Sequence, residues 1–227
     1  MAKYKMIIDT DPGVDDALAI AFAALHPEIE LLGLTTVYGN VSVDQATQNA
    51  GYLLDLLDQK QVPVAKGEAT PSVQTPHNFP DFVHGKNGFG DIDVAYPADF
   101  KPVDEHAADF IVRMINENPG EIILVPIGPL ANIGLALKKD PSIAQKVKQV
   151  VIMGGAAHVA GNVSPAAEAN IWNDPHAAQA VFEAPWPIVM VGLDVTYQTI
   201  MPNEPMERIA AAAPKVGGFL QQICAFY

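Results

Sequence analysis

The residues best placed to do chemistry are the aspartates of one short run, Asp9-Thr10-Asp11-Pro12-Gly13-Val14-Asp15-Asp16. Carboxylates this close repel one another, and Lys5 is the only nearby cation in the sequence; uncompensated, their pKa values rise or the turn is destabilised. A hard divalent cation with oxygen ligands is the most economical compensation. Ca²⁺ or Mg²⁺ suits the run better than zinc, because it contains no His or Cys. Asp15 and Asp16 could also cap a helix beginning there, and capping plus solvation is a purely structural account of the whole run. Two metal motifs share part of the pattern. An EF-hand loop counted from Asp9 needs a carboxylate where Ile20 stands, so that reading fails. A phosphatase with an Asp-x-Asp nucleophile would share Asp9-x-Asp11 and Mg²⁺. It leaves Asp15-Asp16 unexplained and lacks an obvious downstream lysine, but these residues alone keep it open.

The run belongs to an acidic chain of 227 residues, with 26 Asp and Glu against 13 Lys and Arg and a net charge of −13. Such a chain can bury a full core and most simply makes one domain over residues 1–227. The acid excess argues against nucleic acid and anionic membrane surfaces, which are held through clustered Lys and Arg. Cys224 stands alone, which excludes an intramolecular disulfide framework and a cysteine-built zinc site and favours a cytoplasmic location. Residues 1–6 lead into too few apolar residues for an export signal, and the 17–25 stretch is shorter than the roughly 20 residues of a membrane span. A soluble protein is expected.

The elements that must position the aspartates follow from the apolar pattern. Residues 5–8, 29–37, 122–127, 150–153 and 187–193 read as buried strands. Between them, 15–25, 44–57 and 104–114 carry helical apolar spacing, each starting at an Asp suited to a helix N-terminus. Buried strands separated by crossover helices predict an α/β fold with an open, mainly parallel sheet covered on both faces. The long connections 66–103 and 154–173 are rich in turn residues, and loops of that length are usually functional or disordered. Ligands of open α/β sheets bind outside the carboxyl ends of the strands. Asp9 to Asp16, Asn40, Gly128 and Asp194 all fall at that edge.

With these residues in place, the sequence resembles the inosine-uridine-preferring nucleoside hydrolase family, whose signature Asp-x-Asp-Pro-Gly-x-Asp-Asp is matched by Asp9 to Asp16. The resemblance extends through Val37-Tyr38-Gly39-Asn40, His84-Gly85 with Gly88, the segment from Leu124 to Asn132, Val151-Ile152-Met153-Gly154-Gly155, and the set Asn162, Glu168 and Asn170. It implies a Rossmann-like sheet and hydrolysis of the N-glycosidic bond of ribonucleosides to free base and ribose, in nucleoside salvage. It implies Ca²⁺ held by Asp11, Asp16 and the backbone carbonyl of Ile127, with Asp11 also the general base toward the attacking water. Asp15, Asn40 and Asn170 would hold the ribose 2′ and 3′ hydroxyls, and Asn162 with Glu168 the 5′ end. Met153 would lie near the ribose, His84 would be a catalytic histidine near the nucleobase, and Asp9 would support the network. A homodimer or homotetramer is a further implication.

The same resemblance sets an expectation of incompleteness. The family's C-terminal third carries a His-Asp pair that supplies another metal ligand, and no His-Asp dipeptide follows Glu168 here. Val216, Phe219, Leu220, Ile223 and Tyr227 keep helical spacing with no stop signal after them. The chain is therefore expected to be a C-terminally truncated domain. The alternative to an active ribohydrolase is a non-catalytic homologue that binds ribosides or a partner subunit. Trp172 could pack against a base, although it and Trp186 read more readily as core; Asp174-Pro175 reads as a helix start, and His77, His106, His158 and His176 carry no specific signal.

Overall fold

The computed structural model describes residues 3–227; Met1 and Ala2, part of the stretch read as too short for export, lie outside them. Six strands form one parallel sheet: β1 (Tyr4–Thr10), β2 (Ile29–Thr36), β3 (Val64–Lys66), β4 (Ile122–Pro126), β5 (Gln149–Met153) and β6 (Ile188–Val191), in the order β3-β2-β1-β4-β5-β6. The expected α/β fold is borne out. β3 is the strand the apolar pattern does not reveal, because three residues between Pro63 and Gly67 are too few to show a period.

Helices α1 (Val14–Leu25), α2 (Val43–Leu56), α4 (Ala107–Glu117), α5 (Ala131–Lys139) and α7 (Pro175–Glu183) connect the strands; short α3 (Asp81–His84), α6 (Ala169–Asn173) and α8 (Leu193–Thr196) lie within the connections, and α9 (Asn203–Ala212) and α10 (Pro214–Cys224) follow. The strands bury both faces by alternation. Ile7 joins Phe110, Ile111 and Ile133 on one side, while the next residue, Ile8, joins Val14, Ile20 and Leu53 on the other. The apolar spacing at the C-terminus forms α10, whose Phe219, Leu220 and Ile223 are buried in that second core.

The helix starts follow expectation in part: Asp44 charges the first turn of α2, but neither it nor Asp104 is the cap. Ser42 accepts from the Gln45 N–H at 3.2 Å to start α2, and His106 Nδ1 accepts from the Ala108 N–H at 3.2 Å to start α4. Ser42 and His106 have the extended backbone that a cap needs, whereas Asp44 already lies within the first turn and Asp104 precedes the cap by two residues. Asp174 does start α7, accepting from the Ala177 N–H with Pro175 following it. Among the described residues no helix is long and apolar enough to cross a membrane.

Candidate active site

The chain steps outward from β1 to β3 and then returns to the other side of β1 at β4. This reversal opens a crevice beyond the carboxyl ends of β1 and β4, the position where open α/β sheets bind ligands. Asp9 lies one residue before the end of β1 in this crevice, and the 127–130 turn leaves β4 beside it, with the Ile127 N–H donating to the Asp9 carbonyl at 2.8 Å. Residues 37–40 leave β2 on the other side.

Asp11 sits between these two turns and depends on glycine at both. A Cβ at Gly39 or at Gly128 would overlap the Asp11 carboxylate. One carboxylate oxygen, Oδ2, accepts from the Asn40 N–H at 2.6 Å; the other, Oδ1, is buried against Gly128 with no hydrogen-bond partner. Asp16 accepts from the Thr10 hydroxyl at 2.6 Å, from the Gly13 N–H at 3.1 Å and from the Asn40 side-chain amide at 3.0 Å. The Gly13 bond reaches back to the N-cap of α1, so Asp16 caps that helix as expected while also facing Asn40. Asp15 is exposed in the first turn and does not cap.

These groups have no cation to balance them. Lys5 pairs with Glu121 at 2.6 Å, at the opposite end of β1, and among the described residues no ion pair involves Asp9, Asp11 or Asp16. Burial pushes Asp9 up to about 7 despite its hydrogen bonds. Burial, with Asp15 nearby, brings Asp16 to about 7, and burial together with Asp16 raises Asp11 well above the carboxylate range. Asp9 and Asp11 each carry an unpartnered oxygen, and buried Asp11 and Asp16 offer hard oxygen donors that suit a divalent cation. No three His, Cys, Asp or Glu side chains among the described residues form a ligating group. The Ile127 carbonyl, another oxygen that could face a cation, lies on the adjacent turn and accepts from the Asn170 amide at 3.0 Å.

The other candidates enter from two directions. Glu168 is buried at the N-cap of α6, accepting from the Gly155, Asn170 and Ile171 N–H groups; burial raises its carboxyl and these bonds oppose the rise. It thereby fixes Asn170, whose amide also donates to the Met153 carbonyl at 3.1 Å and contacts Met153 Sδ at 3.4 Å. Exposed Asn162 accepts from the Ala169 N–H and so supports the same segment. His84 packs over the start of α1, its Nδ1 accepting from the Val14 N–H at 3.3 Å. Burial lowers its pKa, leaving a neutral ring with its proton on Nε2.

The family model for inosine-uridine preferring nucleoside hydrolases matches residues 6–227. The chain belongs to this family. A probable uridine nucleosidase of Oryza sativa is 44% identical over 223 residues, covering 98% of this chain and 68% of its own length. A plant nucleoside hydrolase structure superposes with a TM-score of 0.95 at 42% identity, covering 99% of this chain and 71% of that one. A purine-preferring ribonucleoside hydrolase from Gardnerella vaginalis gives 0.94 at 40%, with 98% and 71% covered. The chain thus spans about two thirds of the length of such relatives. Nucleoside hydrolases are glycosidases, and the crevice at the β1/β4 reversal is the part of this member where its acids and amides converge.

Sequence reasoning missed two parts of the surroundings. Trp172, read more readily as core, is only half-buried and stacks on His77 with ring centres 3.6 Å apart, whereas Trp186 is core, its indole N–H donating to the Val181 carbonyl at 2.9 Å. Asn132, quoted only as the end of a motif, proves to be fully buried between β1 and β2. Its signal was its place five residues past Ile127.

Proposed function

We propose that this chain hydrolyses the N-glycosidic bond of ribonucleosides with Ca²⁺ as cofactor, in a cytoplasmic salvage role and as a homodimer or homotetramer. The observation that carries this reading is the Asp11 carboxylate, wedged between two glycines at the sheet's reversal point with its Oδ1 buried and unpartnered. Asp11, Asp16 and the Ile127 carbonyl would hold the ion. Ca²⁺ bound there supplies acidification and orientation of a water nucleophile. Asp11 would take the proton of the attacking water as the oxygen of that water bonds to the anomeric carbon; the base would leave with the electron pair of the broken carbon–nitrogen bond and be protonated, and Asp11 would then return its proton to solvent. The ribosyl group passes through a cationic, oxocarbenium-like transition state, which an acidic pocket stabilises.

Asp15, Asn40 and Asn170 bind the 2′ and 3′ hydroxyls in this reading. Asn162 and Glu168 serve the 5′ end, Met153 packs beside the ribose and Asp9 supports the network. His84 presents its Nε2–H toward the base. A site built on hydroxyl contacts rejects 2′-deoxynucleosides strongly.

The test is to incubate the chain with Ca²⁺ and inosine, uridine or cytidine and to measure ribose as reducing sugar. Release that Asp11→Ala abolishes supports the proposal. No release, with calorimetry showing no Ca²⁺ uptake, leaves the non-catalytic homologue. Phosphate released from a nucleotide instead would restore the phosphatase reading.

A further inference from the structure

Asn132 is the first buried amide after the β4 turn, and each of its polar atoms meets a different segment. Its Nδ2 donates to Asp9 Oδ1 at 2.8 Å and to the Thr36 carbonyl at 2.9 Å, while its Oδ1 accepts from the Glu68 N–H at 2.8 Å. The partners fix the orientation of the amide, because two acceptors demand the nitrogen and an N–H demands the oxygen. The neighbouring chain is shaped around this group: a Cβ at Gly67 would overlap the Asn132 amide.

These bonds lead to the candidate site by two routes. Asp9 Oδ1 is occupied by Asn132 and by the Thr35 hydroxyl at 2.5 Å, so Oδ2 is the oxygen left without a partner. Thr36 ends β2 directly before the 37–40 turn, and the Glu68 carbonyl accepts from the Tyr38 N–H of that turn at 3.2 Å. The same turn delivers Gly39 and the Asn40 N–H to Asp11. One amide thus clamps the ends of β1 and β2, the exit from β3 and the start of α5.

We infer that Asn132 is a positioning residue, which acts through Asp9 and the 37–40 turn to hold the Asp11 carboxylate in place. Groups behind metal ligands commonly change affinity or activity by about 10- to 100-fold when removed. The inference rests on the proposed Ca²⁺ reading only for the calcium arm of its test.

The test compares Asn132→Asp with the unaltered chain by amide hydrogen exchange and by Ca²⁺ calorimetry. Asn132→Asp keeps the shape and the acceptor for Glu68 but replaces the two amide N–H donors with a carboxyl oxygen set against Asp9, which at most one shared proton can bridge. Exchange protection of the Asn40 N–H should fall about tenfold or more while that of Val150, which donates to Pro187 in a distant part of the sheet, is kept. Ca²⁺ affinity should fall by about 10- to 100-fold. Gly67→Ala, which crowds the amide without removing it, should give the same pattern and serves if Asn132→Asp does not fold. Equal losses at Asn40 and Val150, or none at Asn40, overturn the inference, since a merely structural residue lowers protection everywhere. An unaltered chain that takes up no Ca²⁺ defeats the calcium reading alone, and the exchange pattern still decides the role of Asn132.

Discussion

The two ends of β1 treat charge in opposite ways. At its start, Lys5 reaches Glu121 and the Asn118 side chain at the surface, where the pair is solvated and each charge has a partner. At its finish, Asp9, Asp11 and Asp16 are buried among donors that are mostly neutral, with no cation paired to them. Partly buried Asp140 shows what an aspartate does among donors at a helix start: the Ser142 and Asn116 side chains and the Ser142 N–H hold it down to about 2. Asp9 and Asp16, pushed up to about 7, show the reverse. Asp140 is stabilised as an anion by the donors around it, whereas Asp9 and Asp16 are kept out of water without enough compensation.

The largest effect that should separate the two ends is chemical. Asp11→Asn keeps the shape but removes the base and a charge, and ribose release should fall by about 10³-fold or more, whereas Lys5→Ala should leave it unchanged. Equal losses would erase the contrast. Next comes geometry: Gly128→Ala displaces the Asp11 carboxylate without altering any acid, so release should fall by about 100-fold with the circular dichroism spectrum kept.

The ends should also respond differently to pH. Because folding raises Asp9 and Asp16 from about 3.8 to about 7, the folded chain holds protons that the unfolded chain has lost. Stability from these groups is full below about 4 and declines as pH rises to about 7. Thermal melts in a chelator should show this decline, and added Ca²⁺ should flatten it by favouring the ionised carboxylates. A melting temperature insensitive to Ca²⁺ at pH 7 would count against the metal reading. The smallest effect belongs to the other end, where Lys5→Ala should barely move the midpoint of a urea melt because the pair lies at the solvated surface.

Much of this architecture was legible in the sequence. Ile7-Ile8 and 122–127 announced buried strands, and the motif at Asp9 to Asp16 announced where a ligand would sit, since strand-to-helix turns at one sheet edge are a topological necessity of the α/β order. Helix starts were less legible: Asp44 and Asp104 looked suited to cap or charge a helix start, and Asp44 does lie in the first turn of α2, but Ser42 and His106 are the caps, because capping depends on backbone angles at a single residue. β3 was invisible at three residues. The glycines at 39 and 128 could be read only as motif letters until Asp11 was seen between them.

By itself, then, the sequence determined the kind of fold, the acidic turn and the family to which its spacing conforms, because these depend on local period and on residue types close in the chain. Only the tertiary structure decided which aspartates lose their water, which oxygen is left without a partner, and that Asn132, some 120 positions from Asp9, binds it directly. Burial and hydrogen bonding are set by segments brought together across the sheet, and no period within one segment records what another will place beside it.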